Sequence, residues 1–113
     1  MIPNEIPRGL RSAAIVPPSA GEHEAAWTPQ DALAVLRALE SSRIAVVSAQ
    51  GYKLIGVELI PTQAGWAFPQ TSGETESSRA SKSRAGAMLF IRNLMSTDTD
   101  YVSLEFSYQD EAA

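Results

Sequence analysis

The sequence predicts an α+β protein, a two-layer sandwich in which a mainly antiparallel sheet of four to five strands carries two helices on one face. Two stretches have apolar residues at the spacing of helices, and the shorter stretches between and after them have the patterns of strands. The chain has 113 residues and no long linker, so we expect one compact core. Two helices and one sheet can bury their apolar sides only against each other, which gives the two layers.

A proline-rich segment, residues 1–26, precedes the α+β domain that we assign to residues 27–113. The segment contains four prolines: Pro3, Pro7, Pro17 and Pro18. Because proline interrupts helical hydrogen bonding, no continuous helix is predicted in this segment. Residues 10–16 are predicted at most to add one edge strand to the sheet. Their apolar run is too short for the core of a signal peptide, which predicts a cytoplasmic protein.

The first helix is predicted to begin after Thr28 and to run to about Ser42. Thr28 supplies a hydroxyl cap, and Pro29 occupies a position where its missing N–H costs nothing. Asp31 places a carboxylate at the positive end of the helix. The apolar stripe that faces the core consists of Ala32, Val35, Leu36 and Leu39.

Three strands are predicted to follow as an antiparallel meander. Residues 43–49 are apolar on both alternations, as in a central strand that is covered on both faces. A turn at Gln50 and Gly51 leads into a second strand at residues 52–60. A further turn at Ala64 and Gly65 leads into a third, short strand at residues 66–68.

The second helix follows a polar loop at residues 70–78 and is predicted to run from a cap at Thr75 or Ser77 to about Met95. Gly86 in the middle of this helix costs about 1 kcal/mol relative to alanine, which predicts the close approach of a neighbouring element. The predicted buried stripe is Ala80, Ala87, Met88, Ile91, Leu94 and Met95. The predicted solvent-facing residues are Arg79, Lys82, Ser83 and Arg92.

The last strand has the clearest alternation in the chain, and we expect it to be half-exposed. Val102, Leu104, Phe106 and Tyr108 alternate with Tyr101, Ser103, Glu105 and Ser107.

Composition narrows the classes of function. The chain has no cysteine and a single histidine, which excludes thiolate chemistry and argues against a structural zinc site. The net charge of -4 argues against nucleic acid as a partner, because affinity for a polyanion comes mainly from lysine and arginine. No apolar stretch approaches the roughly 20 residues of a membrane span. We therefore predict no cofactor, no metal and no membrane contact, and a basic macromolecule as partner.

No catalytic constellation is evident in the sequence. His23 lies in a polar stretch before the first helix, and Asp98 and Asp100 alternate, so an extended chain directs them to opposite sides. The basic residues Arg79, Lys82 and Arg84 are interpreted as a solvated helix face and not as a contact for RNA. A small enzyme or ligand-binding domain that uses Asp98, Asp100 or His23 remains the alternative function.

Charge is distributed unevenly, and this selects candidate binding residues. From Asn93 to the end of the chain there are five acidic residues and no basic residue. Such a surface attracts a cationic partner and raises its association rate. Trp66 is either a core residue or an aromatic anchor of an interface. The predicted partner-binding residues are Glu58, Trp66, Tyr101, Glu105, Asp98 and Asp100.

From Trp27 to Phe106, the chain resembles the immunity protein 40 family of bacterial polymorphic toxin systems. The resembling positions are Trp27 and Ala32 at the start of a helix, the strand Ile44-Ala45-Val46-Val47 leading to a Gly51-Tyr52 turn, Gly65-Trp66, and Ser81, Ala85 and Ile91. After the first strand this chain has Ser48-Ala49-Gln50-Gly51, where the family is expected to have a Gly-Gly-Asp type turn. Any binding residues that the family has in that turn are therefore not assigned to this chain.

The resemblance implies a non-enzymatic inhibitor that binds one cognate secreted toxin domain and so protects the producing cell during bacterial competition. We expect it to act by occluding or distorting the active site of the toxin. The acidic composition and the absence of a catalytic set agree with a binder of a basic toxin. Self-association through an exposed edge strand, giving a homodimer, is a third possibility.

Overall fold

The structure, a computed structural model, describes residues 2–18, 20–69 and 75–107. The described elements are α1 (Arg8–Ala13), β1 (Glu24–Trp27), α2 (Pro29–Ala38), β2 (Ala45–Ile55), β3 (Glu58–Ala67), α3 (Glu76–Leu94) and β4 (Tyr101–Ser107). The four strands pair antiparallel in the order β1-β4-β2-β3. Apolar side chains of α2, α3 and one face of the sheet form one core, which confirms the predicted two-layer α+β fold.

The helix starts follow the predicted capping residues. The Oγ1 atom of Thr28 accepts a hydrogen bond from the backbone N–H of Asp31 at 3.3 Å, and that of Thr75 accepts from the N–H of Ser78 at 3.1 Å. α3 ends within one residue of the predicted Met95. Met95 itself is 47% exposed, so its place in the predicted buried stripe was wrong, because the helix ends before it.

α2 ends at Ala38, earlier than predicted, because the N–H groups of Glu40 and Ser42 donate to carbonyls three residues earlier and not four. Arg84 was predicted on a solvated face, but its side chain is buried. Its guanidinium donates to the carbonyl oxygens of Ile44 at 2.8 Å, Glu40 at 3.1 Å and Ser42 at 3.2 Å. These three bonds attach the segment that follows α2 to α3. Burial of the guanidinium lowers the pKa of Arg84.

Ser83, the residue before Arg84, was also wrongly predicted to face water. Its hydroxyl is fully buried, accepts from the N–H of Val46 at 3.0 Å and donates to the carbonyl of Ala80 at 2.8 Å. Val46 needs this partner because a register shift in the pairing of β2 with β4 lies between Val46 and Ser48. Ser83 and Arg84 thus attach α3 to the beginning of β2 and to the segment before it.

The strands after α2 form one long hairpin and not a meander. β2 runs through the predicted turn at Gln50 and Gly51, and the actual turn is at Gly56 and Val57. Gly56 has a φ of +66°, the left-handed conformation that two-residue hairpin turns require. Gly51 is instead a bulge position in the ladder, where an added Cβ would lie 3.0 Å from Thr62 Oγ1.

β3 likewise has no turn at Ala64 and Gly65. It continues from Glu58 through Pro61 to Ala67. Proline is tolerated here because β3 is an edge strand of the described sheet, so one side of its backbone needs no ladder partner.

The N-terminal segment contains more structure than predicted. Residues 8–13 form a six-residue helix, because Pro7 caps this stretch and the next prolines follow its end. Ile15 forms an isolated bridge with Ala26 at the sheet edge, but residues 10–13 are helical, so the predicted edge strand over residues 10–16 does not form. Trp27 lies in β1 and not at a helix start, and its Nε1–H donates to the carbonyl of Leu10 at 2.7 Å.

The second face of the sheet, which we call the outer face, is partly covered by the N-terminal segment. Pro17 is fully buried, and the N–H of Gly21 donates to Glu24 Oε1 at 2.9 Å. A Cβ placed on Gly21 would lie 3.9 Å from Glu105 Oε2. Residues 15–18 and 20–21 therefore shield the end of the outer face that includes β1.

Val102, Leu104 and Phe106 of β4 are buried, as the alternation predicted. Three predictions fall outside the described residues: the polar loop at 70–74, Tyr108 as part of the last strand, and the acidic residues Asp110 and Glu111.

Candidate partner-binding surface

The β2–β3 hairpin extends beyond the rest of the sheet. The last pair between β2 and β4 is Tyr52 with Tyr101, whereas β2 and β3 stay paired as far as Ile55 with Glu58. Residues 53–60 therefore project as a two-stranded ribbon, which we call the hairpin tip. A ribbon of this kind has two faces and few neighbours, so its side chains are available to a partner.

The hairpin tip is apolar and exposed. Its exposed large apolar residues are Leu54 (43%), Ile55 (60%), Val57 (97%) and Ile60 (41%). Single exposed apolar residues are common, but four of them within one short projecting ribbon of a small protein indicate an interaction surface. The tip is therefore the strongest indication of a binding site in the described part of the chain.

Two predicted acidic residues contact the base of the hairpin tip, and one of them braces it. Asp100 Oδ2 accepts from the N–H of Leu54 at 2.7 Å, and the N–H of Asp100 donates to the carbonyl of Tyr52 at 2.9 Å. Asp100 thus continues the ladder where β4 has not yet begun. Asp98 lies 3.3 Å from Lys53 Nζ with its own side chain 96% exposed, so this ion pair adds little to stability.

Tyr101 and Glu58 line a groove between the hairpin tip and the N-terminal segment. The groove has a volume of about 380 Å³. Its lining residues are Ile15, Val16, Pro18, Leu54, Val57, Glu58, Leu59 and Tyr101. All of these are apolar or aromatic except Glu58, whose exposed carboxylate supplies the one formal charge of the lining.

Glu105 lies farther along the outer face, four residues and roughly 13 Å from Tyr101 in the same strand. Its Oε1 accepts from the hydroxyl of Ser48 at 2.8 Å, and its pairing partner across the ladder is Glu24. Tyr52 is buried on the same face. Burial, and next the charge of Glu24, raise the pKa of the Tyr52 phenol.

Trp66 lies on the opposite, helix-facing side of the sheet. Its ring packs on α3 at Gly86, where an added Cβ would lie 2.8 Å from Trp66 Cζ2, so the close approach predicted for Gly86 is present. Trp66 is half-buried and lies 6.3 Å, centroid to centroid, from the ring of Phe68. Four of the six predicted residues thus gather near the hairpin tip, and Glu105 and Trp66 do not.

Sequence reasoning missed the apolar residues of the hairpin tip and of the segment beside it. It placed residues 52–60 in one strand and so expected half of them to be buried. The available signal was Gly56, which interrupts an apolar run and could have been identified as the turn. No comparable signal identified Val16, because its position depends on how the N-terminal segment packs.

Of the residues of the alternative enzyme hypothesis, Asp98 and Asp100 lie near the hairpin tip, whereas His23 lies beside Phe106 at the other end of β4. Asp98 lines a second cavity of about 260 Å³ with Lys53, Thr62, Ala64, Leu94, Thr97 and Thr99. His23 and Asp100 line neither of the two cavities. Within residues 2–18, 20–69 and 75–107, no three His, Cys, Asp or Glu side chains are placed to hold a metal ion. None of the described helices has the length and apolar content to cross a membrane.

Comparison with protein families identifies a family that matches the chain. The family described as Immunity protein 40 matches residues 18–107, which is most of the chain and includes the sheet, α2, α3 and the hairpin tip. No curated protein matches the chain.

Proposed function

Because this chain belongs to the immunity protein 40 family, we propose that it binds and neutralises one cognate toxin domain of a bacterial polymorphic toxin system. The family is one of immunity proteins and not of enzymes. Protection of the toxin-producing cell then requires only a stable complex, with no bond made or broken. The cytoplasm of that cell, where the toxin is made, is the predicted place of action.

The observation that supports this proposal best is the exposed apolar hairpin tip with acidic residues around it. Val57 at the turn is 97% exposed, and Glu58, Asp98 and Asp100 are exposed nearby. An apolar centre with a polar rim is the usual composition of a protein–protein interface. A projecting ribbon is also a shape that enters a concave active site, and we propose occlusion of that site as the inhibitory mechanism.

The acidic residues have a separate role in the proposed binding. Glu58, Asp98 and Asp100 carry three negative charges near the tip, and Lys53 carries one positive charge that pairs with Asp98. The toxin surface that meets them is therefore proposed to be basic. Charges at the rim of an interface act mainly on the association rate and its salt dependence.

The test uses the C-terminal toxin domain that we expect a gene beside the one for this chain to encode. We expect a complex whose association rate falls steeply between low salt and about 0.5 M salt, because the Debye length shrinks below 10 Å above about 0.1 M. Glu58→Lys should slow association, and Glu58→Lys combined with Glu105→Lys should slow it further. Glu5→Lys, the same charge change at an exposed residue of the N-terminal segment, is the control.

Absence of binding by the wild-type protein would contradict the proposed function. If the wild-type protein binds but its association rate changes with neither salt nor Glu58→Lys, only the proposed role of the acidic residues is contradicted.

Self-association through the exposed edge of β3 also remains a prediction. A second copy could pair with this edge, although Pro61 removes one backbone donor from the strand. Light scattering over a range of concentrations should show a dimer if this pairing forms, and a constant monomer mass would exclude it.

A further inference from the structure

The N-terminal segment is packed into the fold although most of it lies before the family match, which begins at residue 18. Ile6 is fully buried in the core cluster, and Trp27 donates to Leu10. Ile15 forms two backbone hydrogen bonds with Ala26, at 2.9 and 2.8 Å. This segment is therefore held in one place relative to the sheet, and its exposed side chains have a defined position.

We infer that residues 15–18 and the hairpin tip together form the docking groove for the toxin, and that the groove takes a large apolar side chain flanked by lysine or arginine. This inference rests on the proposed function and names the chemistry of its partner. It makes the N-terminal segment part of the binding site and not only a cover for the sheet.

The exposure of its apolar side chains supports this groove as the docking site. Seven large apolar side chains are exposed among the described residues, and the two most exposed are Val57 at 97% and Val16 at 75%. They are 41 positions apart in the sequence, yet both line the same groove. Two such side chains facing one cavity are costly to leave in water unless a partner covers them.

The size and lining of the groove suit an apolar side chain. Its volume of about 380 Å³ is near the lower end of the range of about 300–1,000 Å³ for small-molecule pockets. Pro18 and Val16 form one wall, Leu54 and Leu59 the other, and Tyr101 lies between them. Tyrosine and aliphatic side chains in such an arrangement provide the dry, well-packed centre that carries most of the energy of an interface.

Both walls are braced before the partner arrives. The Ile15–Ala26 hydrogen bonds fix the N-terminal wall, and the Asp100–Leu54 hydrogen bond of 2.7 Å fixes the hairpin wall. A preformed groove loses little conformational freedom on binding, which favours affinity.

The charges at the rim of the groove indicate which residues of the toxin flank its apolar side chain. Glu58 lies in the groove lining itself, and Asp100 lies directly before Tyr101. The nearest lysine that the structure places at the hairpin tip, Lys53, is paired with Asp98. A basic residue beside the apolar one complements these carboxylates, whereas an acidic residue would be repelled.

The test measures the dissociation constant of Val16→Asp and Val57→Asp for the toxin domain encoded beside the gene. Both side chains are so exposed that aspartate should not disturb folding, which thermal unfolding by circular dichroism checks. We expect each variant to bind about 10- to 30-fold more weakly, mainly through faster dissociation. Leu89→Asp, at a 62% exposed position on α3, is the matched control and should stay within about twofold.

The outcomes separate this inference from the proposed function. If the wild-type protein binds and Val16→Asp binds equally well, the groove is not the docking site, although the proposed function stands. If the wild-type protein does not bind the toxin domain, the proposed function fails as well. If analytical ultracentrifugation without toxin shows a wild-type dimer that Val16→Asp and Val57→Asp both dissolve, a second copy occupies the groove and the inference is overturned.

Discussion

Replacing Arg84 with methionine tests whether its hydrogen bonds stabilise the packing of the helices on the sheet. Methionine keeps most of the volume of the side chain but donates no hydrogen bonds. The carbonyl of Ile44, which accepts from the Arg84 guanidinium at 2.8 Å in a buried position, would lose that partner. The carbonyls of Ser42 and Glu40 are only partly buried at these contacts, so water can replace the guanidinium there.

The expected loss of stability follows from these contacts. An unsatisfied buried carbonyl costs about 1–3 kcal/mol, and each of the two solvated bonds contributes about 0.5–1 kcal/mol. Methionine removes the cost of burying the guanidinium, the same cost that lowers the pKa of Arg84, so part of the loss is offset. We expect Arg84→Met to lower the free energy of unfolding by about 2–3 kcal/mol.

Urea unfolding followed by tryptophan fluorescence measures this change, with the slope m unchanged if the native fold is kept. Arg92→Met, at an exposed position of the same helix, is the control and should change stability by less than about 0.5 kcal/mol. Arg84→Lys should recover part of the loss, because an ammonium can still donate to Ile44. A cost of Arg84→Met equal to that of Arg92→Met would refute the assigned role.

Two further stability predictions concern Gly86 and Tyr52. Gly86→Ala should lower stability by about 1 kcal/mol, because its Cβ would lie 2.8 Å from Trp66 Cζ2. In a Trp66→Leu background the same change should raise stability by about 1 kcal/mol, because alanine has the higher helix propensity. Urea unfolding measures both effects, and the same sign in both backgrounds would contradict the packing described. The Tyr52 phenol has a pKa above its ordinary value of about 10, so its contribution to stability is complete below pH 10 and is lost as the pH rises through the folded pKa. Tyr52→Phe should therefore make the decline of stability above pH 10 shallower, and an unchanged decline would exclude this residue as its cause.

The sequence predicted the features that depend on local chemistry. Thr28, Pro29 and Asp31 determine a helix start through contacts within one turn, and Thr75 does the same for α3. The alternation of β4 identified its buried face because one strand needs no knowledge of its neighbours.

Features that depend on distant contacts were missed. Gly51 was predicted to form a turn and Gly56 to lie within a strand, and only strand pairing shows that Gly51 faces Thr62 in a bulge. Arg84 looked like a surface residue because its partners are carbonyls that have no signature in the sequence. The acidic part of the candidate site was predicted from the charge pattern, whereas the apolar groove joins Val16 and Val57, which are 41 positions apart in the sequence.

A titration of the toxin domain with this chain tests the central claim, inhibition by binding, most directly. The toxin domain encoded beside the gene is held at a concentration well above the dissociation constant, and its activity is measured as the chain is added. We predict a linear fall to zero at one equivalent and recovery of active toxin when the complex is separated under denaturing conditions and the toxin is refolded. Complete loss of activity at a small fraction of an equivalent, with a lasting chemical change in the toxin, would show catalysis and contradict the account.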